Sequence, residues 1–314
     1  MKIAILINGS IRKFQNTVDE IKLSFDGLDY HIFISEYAGH FMQLCSQALD
    51  AEFNCFVLVG GDGSLNEGIN GIIKYYQVNE SESIADFDWL AISKIRVGVF
   101  AAGSGNDFIK SVNLDESLST LVTNIKNQSS QMVDVGWMSC LDFNDQYTVN
   151  FFINVTDVGM GGEVVRRKSK MPQFLSGKLT YFLAITTTIA LYKKCQLKAY
   201  NDTFQWQGKV LNMVVANAKY FGNSLGIAPD ADVTDGQFSL VIVGDVSLFQ
   251  YFKKLPLLKK CVKINHPEVS YHRVNEINIV PTDKRTITID MDGELIGKAP
   301  MSLKCLQQKI NFIC

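Results

Sequence analysis

Cys55-Phe56-Val57-Leu58-Val59-Gly60-Gly61-Asp62-Gly63-Ser64-Leu65-Asn66-Glu67-Gly68 is the stretch on which the fold turns. Its first five residues are a short apolar run, which reads as a strand buried on both faces. The glycines that follow let the backbone turn with positive φ and let a ligand approach the main chain closely. Ser64 with Glu67 three residues later reads as a capping box, so a helix is expected to begin at Ser64. A glycine turn feeding a helix start offers backbone N–H groups and the positive end of a dipole, which suits phosphate.

The same device follows the apolar run Val97–Phe100, as Ala101-Ala102-Gly103-Ser104-Gly105-Asn106-Asp107-Phe108. Both loops fall at the C-terminal ends of expected parallel strands, where open α/β sheets bind ligands. Neither standard fingerprint fits. No GxxxxGK[ST] string exists, and Asn66 and Phe108 stand where GxGxxG needs its third glycine. Each loop carries a carboxylate instead, Asp62 and Asp107. Phosphoryl transfer needs metal-neutralised phosphates and a positioned acceptor hydroxyl. Carboxylates beside a phosphate cradle can hold Mg²⁺ or accept the hydroxyl proton. The plainer alternative for Asp62 is turn chemistry, because Asp-Gly is a common turn pair.

Outward from these loops, Ile3–Ile7, Tyr30–Ser35, Cys55–Val59 and Val97–Phe100 read as buried strands. Gln15–Phe25, His40–Leu49 and Leu65–Tyr76 carry helical spacing between them. This alternation predicts a parallel sheet with helices on its faces. Residues 78–94 read as an exposed acidic insertion, with Trp89 and Leu90 folding back. Beyond about residue 130 the strand candidates are Val133–Trp137, Tyr147–Val155, Gln196–Trp206 with a hairpin at Asn201-Asp202, Val210–Asn217, Phe238–Val243, Ile277–Val280 and Thr286–Met291. One helix, Leu179–Tyr192, interrupts them. The expected fold class is therefore an α/β domain over residues 1–130 followed by a mainly antiparallel β domain over 131–314.

The 314 residues leave ample chain for two cores. With 47% apolar and 20% charged residues, the composition excludes a disordered chain. A formal charge of −2 argues against a nucleic-acid binder coated in Lys and Arg. Seven scattered cysteines without a CxxC pair suit neither a zinc site nor a disulfide framework and point to a reducing cytoplasm. The opening apolar run, Ile3–Ile7, is shorter than a secretory leader core, and Tyr181–Tyr192 falls short of the ~20 residues of a membrane span.

GGDGSLNEG (60–68) with AAGSGNDF (101–108) resembles the diacylglycerol kinase catalytic-domain family, which includes sphingosine kinases and soluble bacterial lipid kinases. Further matches follow in order: Ser35-Glu36-Tyr37-Ala38-Gly39-His40, Val133-Asp134-Val135-Gly136, Ile227-Ala228-Pro229-Asp230-Ala231 leading to Asp235-Gly236, and Asp292-Gly293-Glu294. The resemblance implies an ATP- and Mg²⁺-dependent kinase acting on a lipid hydroxyl, diacylglycerol foremost. It further implies an α/β nucleotide-binding domain and a β-sandwich-like lipid-substrate domain, with nucleotide held between them. Carried over by position, Asn8, Gly9, Ser10, Ser35, Gly61, Asp62, Gly63, Ser64, Asn66, Glu67, Ser104 and Asn106 contact nucleotide. Asp62 and Asp107 organise Mg²⁺, and Asp62, Asp292 and Glu294 are the catalytic carboxylates. A structural Mg²⁺ is implied at Asp235 with the backbone carbonyls of Asp232 and Gln237. The resemblance leaves room for a homodimer.

Three departures stand out. The family's first loop begins Asn-Pro, whereas this chain has Asn8-Gly9-Ser10-Ile11-Arg12-Lys13, in which Arg12 or Lys13 can meet phosphate. Ala101-Ala102 replaces Pro-Leu, and the glycine run before Ile227 is reduced to Gly222-Asn223-Ser224. Two rival readings remain, an NAD kinase-like small-molecule kinase and a non-catalytic nucleotide or lipid module. NAD kinases share GGDG, but their next loop resembles GxNxGxLGF rather than GSGNDF.

A lipid substrate requires contact with a bilayer or carrier. Residues 164–201 carry +8 and residues 246–267 carry +5, with no acid in either. In the second segment Phe249, Tyr251, Phe252, Leu255, Leu257 and Leu258 interleave with the lysines. Such a pattern suits docking on anionic lipid, and a cytoplasmic enzyme bound peripherally to membrane is expected. Met171-Pro172-Gln173-Phe174-Leu175 is a candidate lid.

Overall fold

The computed structural model describes residues 1–79, 83–103, 105–168, 170–171 and 177–314. They form two compact units, Met1–Val135 with Gln307–Cys314, and Gly136–Leu306.

The elements of the first unit are β1 (Ile3–Asn8), α1 (Phe14–Ser24), β2 (Tyr30–Ser35), α2 (His40–Asp50), β3 (Cys55–Gly60), α3 (Asp62–Tyr75), α4 (Trp89–Ser93), β4 (Arg96–Ala101), α5 (Asp107–Ser111) and α6 (Leu118–Lys126). β5 (Gln131–Leu141) leads on to the second unit. β1 pairs in parallel with β2 and β3, and β3 pairs in parallel with β4. Ile3, Ile5, Ile7, Val57 and Val59 pack on Val18, Ile21, Leu121 and Ile125 from α1 and α6. β3 is buried along its whole length, as a central parallel strand sandwiched by helices must be. On its other face α3 comes so close that a Cβ on Gly68 would lie 2.5 Å from Leu58. Leu90 is 70% exposed, so the expected folding-back is confined to Trp89, whose indole N–H donates to the Ile84 carbonyl at 2.8 Å.

The second unit continues with β6 (Tyr147–Phe152), β7 (Val155–Gly159), α7 (Met160–Lys168), α8 (Gly177–Leu191), β8 (Cys195–Tyr200), β9 (Gln205–Val210), β10 (Asn212–Ala216), β11 (Tyr220–Phe221) and β12 (Leu225–Gly226). It is completed by β13 (Phe238–Val243), α9 (Leu248–Lys259), β14 (Val269–Val274), β15 (Glu276–Pro281), β16 (Thr288–Met291) and β17 (Glu294–Phe312). Its antiparallel order is β14-β13-β10-β7-β16-β17, and β15 joins β17 to the hairpin β8-β9. The core holds Phe152, Phe238, Leu240, Ile277, Ile289 and Met301. The run 147–155 is two strands rather than one. It bends at Ile153-Asn154, where the Asn154 carbonyl accepts the N–H groups of Asn217 and Ala218 at 2.9 and 3.0 Å. No helix among the described residues is long and apolar enough to cross a membrane. The cysteines carry free thiols, and burial pushes Cys55 and Cys140 up to about 11.

Candidate active site

The four parallel strands of the first unit end at Asn8, Ser35, Gly60 and Ala101, and the register sets Asn8 against Ser35 and Gly60 against Ala101. One sheet edge thus gathers most residues expected to meet nucleotide. Asn8 organises its loop: its amide donates to Ser64 Oγ at 3.1 Å, while its Oδ1 accepts the Ser10 N–H and hydroxyl at 2.9 and 2.7 Å. The Gly9 N–H donates to the Ser35 carbonyl at 3.2 Å, an approach that a Cβ would block at 2.4 Å. Arg12 is exposed just before α1.

Here the capping expectation is corrected. α3 starts at Asp62, two residues before Ser64, with Gly61 as its cap and no side-chain cap bond. Ser64 packs against Gly60, and the Glu67 carboxylate accepts the Gly39 N–H at 2.8 Å. Gly60 and Gly61 also lack positive φ. Glycine is needed for proximity instead: a Cβ on Gly103 would lie 2.4 Å from Gly61 Cα, and one on Gly60 would lie 2.3 Å from Ser64 Oγ. The N–H groups of Ala102 and Gly103 both donate to the Gly60 carbonyl, at 2.9 and 3.1 Å.

Across this contact the Asp62 carboxylate accepts the backbone N–H of Asp107 at 3.0 Å and of Phe108 at 3.1 Å, one on each oxygen. The two glycine loops are therefore tied by a charge-assisted pair of hydrogen bonds. A Cβ on Gly105 would lie 2.9 Å from Asp62 Oδ2 and 3.5 Å from Asp107 Oδ2, so both carboxylates flank one small space. Asn106, left-handed at φ 53°, keeps its Oδ1 buried without a hydrogen-bond partner close by Gly103. Gly63 lies in the first turn of α3, and buried Asn66 accepts the Asn70 amide on its Oδ1 at 3.1 Å. Ser104 lies outside the described residues, as does most of the candidate lid, residues 172–175.

In the second unit Asp292-Gly293 turns β16 into β17, with Asp292 at φ 51° and Gly293 at φ 88°. Asp292 is fixed twice by Val155, whose N–H donates to Asp292 Oδ1 at 2.8 Å and whose carbonyl accepts the Asp292 N–H at 2.9 Å. Glu294 is exposed. The Asp235 carboxylate accepts the Gln237 N–H at 3.0 Å and pairs with Arg273. The same guanidinium donates to the Asp230 carbonyl at 2.8 Å and Gln237 Oε1 at 3.3 Å. Asp232 accepts the Thr234 N–H and hydroxyl. A structural cation does not fit this loop as it stands, because an arginine already supplies its positive charge.

Sequence reasoning missed Asp157 and Asp290, which are buried opposite each other on β7 and β16. It also missed an apolar cleft in the second unit, walled by Val164, Val214, Val243, Tyr251 and Leu258, with Asp290 in its lining. The signal for the cleft is the apolar-rich stretch 249–258, whose interleaved lysines point to membrane docking; Tyr251 and Leu258 face the cleft instead. On α8 and α9, Phe182 and Phe249 are 50% and 77% exposed.

A parallel α/β sheet with paired carboxylates at its glycine loops, followed by a β-sandwich-like unit, defines the class: a mixed α/β protein with a diacylglycerol kinase-like fold. The profile described as Diacylglycerol kinase catalytic domain matches residues 2–138, and YegS C-terminal NAD kinase beta sandwich-like domain matches residues 154–314. A diacylglycerol kinase of Staphylococcus haemolyticus (strain JCSC1435) is 25% identical over 303 residues, 95% of this chain and 83% of that protein. One from Staphylococcus saprophyticus is 23% identical over 303 residues, covering 95% and 90%. The crystal structure of a putative diacylglycerol kinase from Bacillus anthracis str. Sterne superposes with a TM-score of 0.74 at 18% identity, covering 99% of this chain and 97% of that one. The chain belongs to the diacylglycerol kinase family, and it is a kinase-type enzyme.

Proposed function

We propose that the protein transfers the γ-phosphoryl group of ATP to the hydroxyl of a lipid, with diacylglycerol as acceptor and phosphatidic acid as product. The observation that carries this reading is the Asp62 carboxylate held by the N–H groups of Asp107 and Phe108, with Asp107 flanking the same space. Two carboxylates beside phosphate-binding loops fit Mg²⁺, which takes few protein oxygens and keeps phosphate and water ligands. When bound, the ion would offset negative charge on the phosphates, and Asp62 and Asp107 are the groups that would hold it. Asn8, Gly9, Ser10, Ser35 and the loop 60–67 orient the nucleotide, with Arg12 on the phosphates. A carboxylate, from Asp62 or from the Asp292-Gly293-Glu294 turn, takes the acceptor's proton as the new P–O bond forms.

The apolar cleft of the second unit supports a substrate with aliphatic chains. Exposed Phe182, Phe249, Leu179 and Leu191, with Lys253 and Lys259 on α9 and Lys260 just after it, support peripheral contact with anionic membrane. Part of the basic charge is already spent: Arg166 and Arg167 pair with Glu163, Lys194 with Asp245, and Lys263 with Asp230. Membrane contact therefore rests on the exposed apolar residues of α8 and α9 with the lysines of α9.

The test is labelled ATP with diacylglycerol, monoacylglycerol, sphingoid base, ceramide, phosphatidylglycerol and NAD as separate acceptors. Labelled phosphatidic acid, lost in Asp62→Asn, is expected. Labelled NAD alone, or no product while ATP raises Tm, overturns the reading in favour of an NAD kinase or a binding module. Cosedimentation with vesicles should rise with anionic lipid and fall with salt; indifference to both removes the membrane proposal.

A further inference from the structure

Two buried acids of the second unit have no role in the reaction described above. β7 and β16 run antiparallel, with Asp157 directly opposite Asp290 in the ladder. Residues so paired present their side chains on the same face of the sheet. Asp157 is 1% exposed and Asp290 7%. Room for the Asp157 carboxylate depends on Gly161, where a Cβ would lie 2.0 Å from its Oδ1. Asn212 hydrogen-bonds Asp157, and the Gly293 N–H donates to Asp290. The Oδ1 atoms of both acids are nonetheless buried without a hydrogen-bond partner.

Two carboxylates that face each other out of water cannot both ionise cheaply. Burial pushes Asp157 up to about 7, and burial together with the charge of Asp157 pushes Asp290 well above the usual carboxylate range. A proton on one acid removes the repulsion between the two and turns that acid into a hydrogen-bond donor, the kind of partner that both Oδ1 atoms lack. The other ionisable groups felt by the pair are Asp292 and Glu294 on the adjoining turn and Tyr192 after α8. Of the elements packed against it, β10 contributes neutral Asn212 and α7 contributes Gly161 and Gly162.

Asp290 reaches the site through the backbone. It accepts the N–H of Gly293, the central residue of the Asp292-Gly293-Glu294 turn, while Val155, two residues before Asp157, clamps Asp292. We infer that Asp157 and Asp290 share one proton and act together as positioning residues that hold the Asp292-Gly293-Glu294 turn for phosphoryl transfer. The positioning role rests on the lipid kinase reading; the shared proton does not. Deprotonation at high pH sets two charges against each other, and their repulsion displaces the carboxylate that holds Gly293.

The test follows the Gly293 amide by ¹⁵N NMR across pH, without ATP or lipid, beside the pH profile of kcat. In the wild type the Gly293 signal is expected to titrate on the alkaline side, well above the usual carboxylate range, as the shared proton leaves, and kcat to fall on the same limb. In Asp157→Asn the amide is a permanent donor to Asp290, so the Gly293 titration and the alkaline limb both disappear. Asp157→Leu removes the donor and lowers kcat about tenfold with KM for ATP unchanged. A Gly293 signal that is flat in the wild type, or that titrates equally in Asp157→Asn, overturns the inference. If Gly293 titrates as expected but no acceptor is phosphorylated, the shared proton stands and the kinase reading fails.

Discussion

Two pairs of acids lie in this molecule, and their surroundings differ in kind. Asp62 and Asp107 sit at the end of a parallel sheet, where backbone N–H groups meet the Asp62 carboxylate and glycines keep the space around it open. Asp157 and Asp290 sit inside an antiparallel ladder, each with an oxygen that no protein donor reaches. In the first pair the Asp62 carboxylate is provided with two backbone donors, one on each oxygen. The second is starved of donors and must keep a proton. Donor supply and access to water thus set the two surroundings apart, and only in the second does burial raise the carboxyl groups well above their usual range.

The largest effect that separates the pairs is catalytic. Asp62→Asn is expected to lower kcat at least ~100-fold, as removal of a proton-accepting or charge-organising group does, and Glu294→Gln is expected to have a similar effect. Near-normal rates for both in a steady-state assay would erase the distinction. Next in size is a steric effect. Gly103→Ala drives a methyl into the Gly61 backbone and should cost about 1–3 kcal/mol in denaturant melts, along with ATP-dependent stabilisation. An unperturbed melt would show that the two loops can separate freely.

The third prediction concerns pH. The folded-state pKa of Asp157 is raised, so the folded chain holds its proton where the unfolded chain has lost it. Its contribution to stability is intact below about pH 4 and is lost as pH rises through 7. Asp157→Asn should therefore raise Tm at pH 8, and the gain should shrink toward pH 4. A gain of the same size at both ends would remove titration as its cause. The smallest effect is at Arg273. Its pair with Asp235 is partly exposed, so Arg273→Met should cost about 0.2–1 kcal/mol. EDTA should leave the wild-type Tm unchanged, and a clear fall on chelation would instead show that a cation supports this loop.

Much of the first unit was legible because its signals are local. An apolar pentad followed by glycine is a buried strand feeding a turn, and Cys55–Gly60 is one. The reason for the glycines was not legible, because it lies in the Gly61–Gly103 contact between loops 42 residues apart in the chain. The capping box expected at Ser64 and Glu67 is absent, since Gly61 starts the helix and Ser64 is held by Asn8. A real box, Ser247 with Gln250, lies in a stretch whose lysines and apolar residues point to lipid docking and not to a helix start. Alternation along Thr286–Met291 sets Asp290 with Thr288 opposite the apolar Ile287, Ile289 and Met291, as a strand with one polar face would have them. Burial of that face comes from pairing with β7, more than 130 residues earlier, and no local pattern announces it.

β17 closes the second unit's sheet through its early residues, and its later ones, Asn311 and Phe312, run parallel to β4 in the first. Ile313 lies in the first unit's core beside Leu121 and Val122. During synthesis the first unit is therefore begun first and completed last, because its sheet waits for a strand made only after the whole second unit. Until then β4 offers the pairing edge at Arg96 and Val97 to any strand in reach. A nascent chain stalled between residues 136 and 306 would expose that edge, and expression at low temperature or with a holding chaperone should help it most at this stage.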